Sequence, residues 1–99
     1  MSDRTESILE EAQRIIHGPR NQDYGTPLSN HSTTAALWNA YLAALAARGA
    51  ALQAEDVCYL NILQKVSRAV TTGVYKRDTP VDVAGYAGNV EMIQDERAA

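Results

Sequence analysis

Apolar residues recur three or four positions apart in four stretches of this chain, and glycine or proline lies next to at least one end of each stretch. This spacing is typical of one buried face of an α-helix, and glycine and proline are typical of helix ends. No stretch alternates apolar and polar residues as a half-buried strand would. The sequence therefore predicts an all-α protein, a compact four-helix bundle. The helices are expected at residues about 3–17, 29–48, 54–72 and 79–94.

The expected helix starts rest on polar side chains that can accept hydrogen bonds from free backbone N–H groups. Asp3 and Glu6 have the spacing of a capping pair for the first helix, and Ser29 is suited to cap the second. Thr79 is suited to cap the fourth helix, and Asp82 lies at the position of its reciprocal partner. The fourth helix is expected to fray in the charged tail.

Composition favours one small cytoplasmic domain that assembles with copies of itself. A net charge of -3 argues against a duplex-DNA binder, which would carry a basic face. The longest mainly apolar stretch, residues 40–47, is too short to cross a membrane. A chain of this length buries only about 60–65% of its unfolded surface. The Ala-rich residues 41–52 offer a surface for a second copy, so a homo-oligomer is expected.

Polar residues interrupt the apolar pattern along one line of each of the last two helices. Asn61, Lys65 and Arg68 follow each other at helical spacing, and so do Asp82 and Tyr86. If the two lines face each other across a cleft, the two cations can attract an anion. The alternatives are a structural ion pair between Asp82 and Arg68, or capping by Asp82 alone.

Gly85 and Gly88 lie within one turn of the fourth predicted helix. Each costs about 1 kcal/mol relative to alanine in a helix interior, so the pair needs a reason. Either another helix packs closely against them, which is the commoner cause, or a flat ligand group does.

The connection between the first two predicted helices, residues 18–28, is long and polar. Helix connections in bundles usually need only about 2–8 residues. Arg20, Asn21 and Asp23 offer charge and hydrogen bonds, and Tyr24 offers an aromatic face that the turn at Gly25 can aim. The loop is therefore expected to form one wall of a nucleotide-sized pocket. The alternative is an ordinary surface loop in which Tyr24 plugs the end of the bundle.

Four segments together resemble a family of small, all-helical phage and prophage proteins of unknown function: "NQDYGTPLSNH", "LWNAYL", "AEDVCYLNILQKVSRAV" and "KRDTPVDVAGYAGN". They are also similar to the nucleotide-modification-associated domain of phage genomes, which shares an Asp-Tyr-Gly loop, a Lys-x-x-Arg helix and an Asp-x-x-x-Tyr helix. The resemblance covers about residues 8–93. It singles out Asp23, Tyr24, Gly25, Trp38, Asp56, Lys65, Arg68, Asp78, Asp82, Gly85 and Tyr86.

Three functions are compatible with these observations. The first is a phage accessory protein that binds a small nucleotide or cyclic nucleotide signal and sequesters it from host immunity, without chemistry, cofactor, metal or catalytic residues. Its expected ligand-binding residues are Arg20, Asn21, Asp23, Tyr24, Asn61, Lys65, Arg68, Asp82 and Tyr86. The second is a Mg²⁺-dependent all-α nucleotide pyrophosphohydrolase, or an accessory enzyme of nucleotide modification. The familiar pyrophosphohydrolase has acidic residues where the third helix here offers Lys65 and Arg68. The third is an oligomeric interaction module that inhibits a host protein.

Overall fold

The computed structural model describes residues 5–18 and 26–99, and within these ranges it contains four helices and no strand. The helices are α1 (Ile8–Ile16), α2 (Pro27–Ala47), α3 (Ala54–Thr72) and α4 (Asp78–Ala98). The all-α prediction is confirmed. Of the helices so described, none is both long and apolar enough to span a bilayer.

The first helix begins later than predicted because a better cap lies inside the expected helix. The Oγ of Ser7 accepts a hydrogen bond from the backbone N–H of Glu10 at 3.1 Å. The Glu10 carboxylate in turn accepts one from the Ser7 N–H at 2.8 Å, which completes a capping box. Glu6, which the sequence suggested as a capping partner of Asp3, instead pairs with Arg14 at 3.1 Å. Asp3 lies outside the described residues.

Two further caps differ from the prediction. Thr26, not Ser29, caps α2, since its Oγ1 accepts the Ser29 N–H at 3.2 Å and Pro27 follows as the first helical residue. The connection between α1 and α2 is therefore shorter than predicted at this end. In α4 the prediction of Thr79 as the cap was wrong. The helix already begins at Asp78, with the backbone of Arg77 in a helical conformation and no side-chain cap.

A buried set of hydroxyl groups joins α2 to α3. Ser67 is fully buried, and its Oγ donates to the backbone oxygen of Asn30 at 3.0 Å. The Thr34 hydroxyl lies 2.8 Å from the Ser67 Oγ, to which it can donate. Buried hydroxyl groups in proteins are normally hydrogen-bonded, as these are. This contact therefore sets the depth and register of the α2–α3 packing.

Nearer the other end of the α2–α3 interface, buried apolar side chains lie beside hydrogen bonds that join the two helices. Leu45, Cys58 and Leu60 form the buried apolar core. The Nε1 of Trp38 donates to the backbone oxygen of Leu60 at 2.8 Å, and the Tyr41 hydroxyl donates to the carboxylate of Asp56. Both aromatic side chains are only half-buried. Each therefore uses its polar atom to hold α2 on α3.

The four helices do not form the compact bundle that the sequence predicts. Helix α3 packs against α2 on one side and α4 on another, but α1 buries none of its residues. The radius of gyration is 16.7 Å, whereas a compact chain of this length has a value of about 13 Å. Two valines of α3, Val66 and Val70, are 39% and 69% exposed. The buried core thus lies between α2 and α3, whereas α4 packs on α3 without a fully buried residue, and much apolar surface remains exposed.

We expect Ser67→Ala to lower the free energy of unfolding by about 0.5–1.5 kcal/mol, because it removes the hydrogen bonds of Ser67 with Asn30 and Thr34, while the Thr34 hydroxyl can still donate to the Asn30 oxygen at 3.0 Å. Urea unfolding followed by circular dichroism measures the change. Ser32→Ala is the matched control, since Ser32 is an exposed serine of α2 and alanine favours helix there. Equal stability of the two variants would contradict a structural role for the buried hydroxyl.

Candidate functional site

The structure describes five of the nine predicted ligand-binding residues. Arg20, Asn21, Asp23 and Tyr24 lie outside the described residues, so their place beside the others stays a prediction. Asn61, Lys65 and Arg68 are half-buried on α3, and Asp82 and Tyr86 are half-buried on α4. Because α3 and α4 pack against each other, the two polar lines belong to one α3–α4 interface.

An ion pair joins the two polar lines. The Nζ of Lys65 lies 2.9 Å from a carboxylate oxygen of Asp82. The Lys65 side chain is 16% exposed and that of Asp82 is 43% exposed, so the pair lies at the edge of the interface, within reach of water. The sequence suggested a pair between Asp82 and Arg68, or capping by Asp82. Instead, Asp82 lies one turn into α4 and binds Lys65.

Next to this ion pair, α4 borders a shallow depression of about 420 Å³. We call it the Gly85 depression; it is lined by Val81, Asp82, Gly85, Tyr86 and Asn89. A Cβ atom built on Gly85 would meet nothing within 4 Å, and the same holds for Gly88. The more common explanation for these glycines, close packing of another helix of the same chain, is therefore wrong among the described residues. The backbone of α4 is open to whatever lies in the depression.

A second polar cluster, which sequence reasoning missed, joins the start of α3 to the end of α4. We call it the Glu55 cluster. One carboxylate oxygen of Glu55 accepts hydrogen bonds from Arg97 and Gln94. The other oxygen is buried and has no hydrogen-bond partner among the described residues. The missed signal is the spacing of Gln94 and Arg97 on one face of α4, in a tail expected to fray.

The Glu55 cluster borders a cavity of about 440 Å³ between the end of α2, the start of α3 and α4. Arg48, Gln53 and Tyr59 contribute polar groups to its lining, beside Glu55 and Asp56. Asp56 also accepts a hydrogen bond from the Gln53 N–H at 2.8 Å, which helps to cap α3. The Glu55 cluster thus joins α3 to α4, and the neighbouring Asp56 joins α3 to α2 through Tyr41.

Hydrogen bonding shifts the pKa values of these groups. The hydrogen bond from Arg97 lowers the pKa of Glu55 to about 2. The hydrogen bond from Tyr41, followed by that from the Gln53 backbone, lowers the pKa of Asp56. Burial, with a smaller contribution from Asp56, raises the pKa of Tyr41 to about 12. At neutral pH the two carboxylates are thus charged and the phenol is neutral.

The carboxylates of the described ranges do not gather into a metal-binding set. Within residues 5–18 and 26–99, no three His, Cys, Asp or Glu side chains lie together in a way that could hold a metal ion. Asp82 is taken up by Lys65 and Glu55 by Arg97. What this surface can do chemically is donate and accept hydrogen bonds, hold charge and accommodate a flat group.

The fold and these polar sites define a small all-α protein with an interhelical ion pair beside a shallow depression on α4, and comparison with known proteins gives its family. The chain belongs to the family described as a domain of unknown function, DUF6378, whose model matches residues 7–94. It is 48% identical over 92 residues to the "Gene 55 protein" of Mycobacterium phage D29 and 47% identical over 94 residues to that of Mycobacterium phage L5. These matches cover 93% and 92% of the chain. No solved structure matches it significantly.

The comparisons confirm the predicted phage-encoded family of unknown function. They do not bear on the similarity to the nucleotide-modification-associated domain, which stays a prediction. The chain spans 56% of the length of each of the two phage relatives. Activities of the complete relatives can therefore depend on a part that has no counterpart here.

We expect the stability of the protein to fall as the pH drops from 4.5, the ordinary carboxylate value, towards about 2, the pKa of Glu55 in the folded state. The folded-state pKa is the lower one, so the unfolded chain takes up protons first and is favoured over this window. Glu55→Gln and Arg97→Met should both flatten this part of the pH profile. Thermal unfolding at a series of pH values measures it.

Arg77→Met, which removes an exposed arginine at the start of α4, is the control and should keep the wild-type profile. If Glu55→Gln and Arg97→Met also keep it, the ion pair does not contribute to stability in solution.

Proposed function

We propose that this protein binds a small nucleotide at the Gly85 depression and holds it without chemical change. The observation that carries the proposal is the open backbone of α4 at Gly85, which lies beside an aromatic side chain, Tyr86, and an interhelical ion pair. A glycine in mid-helix costs stability, and nothing within the described part of the chain fills the space above it. A planar base resting there would account for the glycine.

The polar groups around the depression suit the parts of a nucleotide. Asp82 is an acceptor for the N–H groups of a base or the hydroxyls of a ribose, and Asn89 can both donate and accept. The ammonium group of Lys65 has three N–H donors. Asp82 binds the group at 2.9 Å, and the donors not directed at Asp82 can serve a phosphate oxygen. Arg68, one turn further along α3, extends the positive charge in the direction of the phosphates.

The remaining predicted residues complete this proposal. Tyr24 would supply a second aromatic face, and Arg20, Asn21 and Asp23 would supply further hydrogen bonds from the connection between α1 and α2. Asn61 would extend the polar line of α3 away from Arg68.

The proposed biological role is that of a phage accessory protein in the host cytoplasm, which removes a nucleotide or cyclic nucleotide signal of host immunity. The phage origin of the two gene 55 relatives supports a role during infection. Binding without turnover suits a depression whose one lining carboxylate, Asp82, is paired with Lys65. A pyrophosphohydrolase would instead need several carboxylates free to hold Mg²⁺.

Gly85→Ala should weaken nucleotide binding at least about tenfold, because the added methyl group occupies the open floor of the depression. The same change should raise the free energy of unfolding by roughly 1 kcal/mol, because alanine favours helix and its Cβ meets no neighbour. Equilibrium dialysis against a pool of nucleotides and cyclic dinucleotides, with mass spectrometry of the retained compounds, measures the affinity. Running it with and without Mg²⁺ also reports any turnover.

Gly88→Ala is the matched control. Gly88 is equally open but does not line the depression, so this variant should gain similar stability and bind normally. Retention of no nucleotide by the wild-type protein would sink the proposal. Equal affinity of the two variants would place the ligand elsewhere. Consumption of a nucleotide only with Mg²⁺ would replace binding by catalysis.

A further inference from the structure

Helix α1 carries an apolar face that remains exposed among the described residues. The face consists of Ile8, Leu9, Ile15 and Ile16, which are 74%, 81%, 39% and 54% exposed. Its side chains follow the helical repeat, so they lie on one side of α1. The capping box and the ion pair between Glu6 and Arg14 stabilise α1 from its first turn. This is an ordered amphipathic helix that buries no residue.

A groove of matching character lies elsewhere on the molecule, where the end of α3 meets the start of α4. It has a volume of about 480 Å³. Its apolar lining residues include Val66, Ala69, Val70, Pro80, Val83 and Ala84. A contiguous exposed apolar patch is typical of a surface that binds another molecule.

The solvent-accessible surface is larger than expected for a folded monomer of this mass. The chain of 10.8 kDa exposes 7252 Å², whereas a folded monomer of that mass exposes about 5,500 Å². The difference, about 1,700 Å² per chain, is twice the roughly 800 Å² per partner of a standard protein interface. A second copy that covers both α1 and the groove would remove an area of this order.

The charges on α1 and those beside the groove are also complementary. In α1 the cation Arg14 is paired with Glu6, which leaves the charges of Glu10 and Glu11 in excess. At the groove, the sequence places two cations, Lys76 and Arg77, and one acid, Asp78, at the start of α4 beside the lining residues. An acidic helix would therefore be attracted to the basic end of the groove.

We propose that α1 of one chain docks its apolar face into the α3–α4 groove of a second copy, and that the second copy returns the contact. The exchange is reciprocal, so a two-fold axis relates the chains and both copies bury both surfaces. The acidic side of α1 then lies towards the basic connection before α4. This inference rests on surface burial and charge and does not depend on nucleotide binding.

Two variants break the contact from opposite sides. Leu9→Asp places a charge on the apolar face of α1, and an acid in the first turn suits the positive end of that helix. Val70→Asp places a charge in the groove at a position that is 69% exposed. Leu52→Asp, at a leucine 53% exposed between α2 and α3, is the matched control. Circular dichroism checks that each variant keeps its helices.

Sedimentation equilibrium of the full chain should give about twice the 10.8 kDa mass of one chain. Each groove or α1 variant should weaken the dimer at least about 100-fold, because the lesion occurs at both symmetric contacts. The control should dimerise like the wild type. An equimolar mixture of Leu9→Asp and Val70→Asp should form more dimer than either variant alone but less than the wild type, since one of its two contacts joins an intact α1 to an intact groove and the other carries both lesions.

Three results would overturn the proposal. A wild-type protein of single-chain mass at high concentration excludes the dimer. A dimer that neither variant weakens uses another surface. A dimer that Leu9→Asp weakens and Val70→Asp leaves intact indicates that α1 packs on α1. Nucleotide retention is measured separately on the same samples, so failure of the dimer and failure of ligand binding are distinguishable.

Discussion

The hydrogen-bonded contact of Ser67 with Asn30 and Thr34 is the constraint on which the rest of the structure depends. It fixes the middle of α3 against α2 through buried hydrogen bonds between the two helices. With α3 fixed in rotation, Lys65, two residues earlier, is directed towards α4 and meets Asp82. The ion pair in turn places the open backbone of Gly85 beside the α3–α4 interface. The register of one buried hydroxyl thus determines where the candidate ligand surface lies.

The protein has two polar sites with different characters. In the Glu55 cluster, Arg97 and Gln94 bind one carboxylate oxygen and hold the end of α4 on the start of α3, while the other oxygen is buried without a partner among the described residues. The Gly85 depression differs, since its floor is uncovered and its ion pair reaches solvent. A site whose charged groups join two helices supports structure. A site with an open floor and spare donors is the better candidate for a ligand, and this contrast is the reason to favour it.

The all-α class of the protein was predictable from the sequence, and so were the helix ends at glycine residues. Both depend on local conformational preferences. Gly49 and Gly73 end α2 and α3 at positive φ, as their positions indicate. The helix starts were less predictable. Ser7 and Ser29 are equally suitable cap residues in isolation, but only Ser7 caps a helix, since Thr26 caps α2. Pairing across helices was not predictable at all. Lys65 and Arg68 lie one turn apart, and only the packing angle of α3 and α4 decides which of them meets Asp82.

The hydroxyl-based α2–α3 interface has a consequence for how stability changes with temperature. The curvature of a stability curve comes from the heat capacity of unfolding, which rises with apolar surface newly exposed and falls with polar surface. Here the described core buries only three apolar side chains, Leu45, Cys58 and Leu60, beside three polar ones. A single chain should therefore have a shallow curve, with little loss of stability on cooling. The steep curve of an apolar core would develop only when another molecule covers α1 and the valine-lined groove.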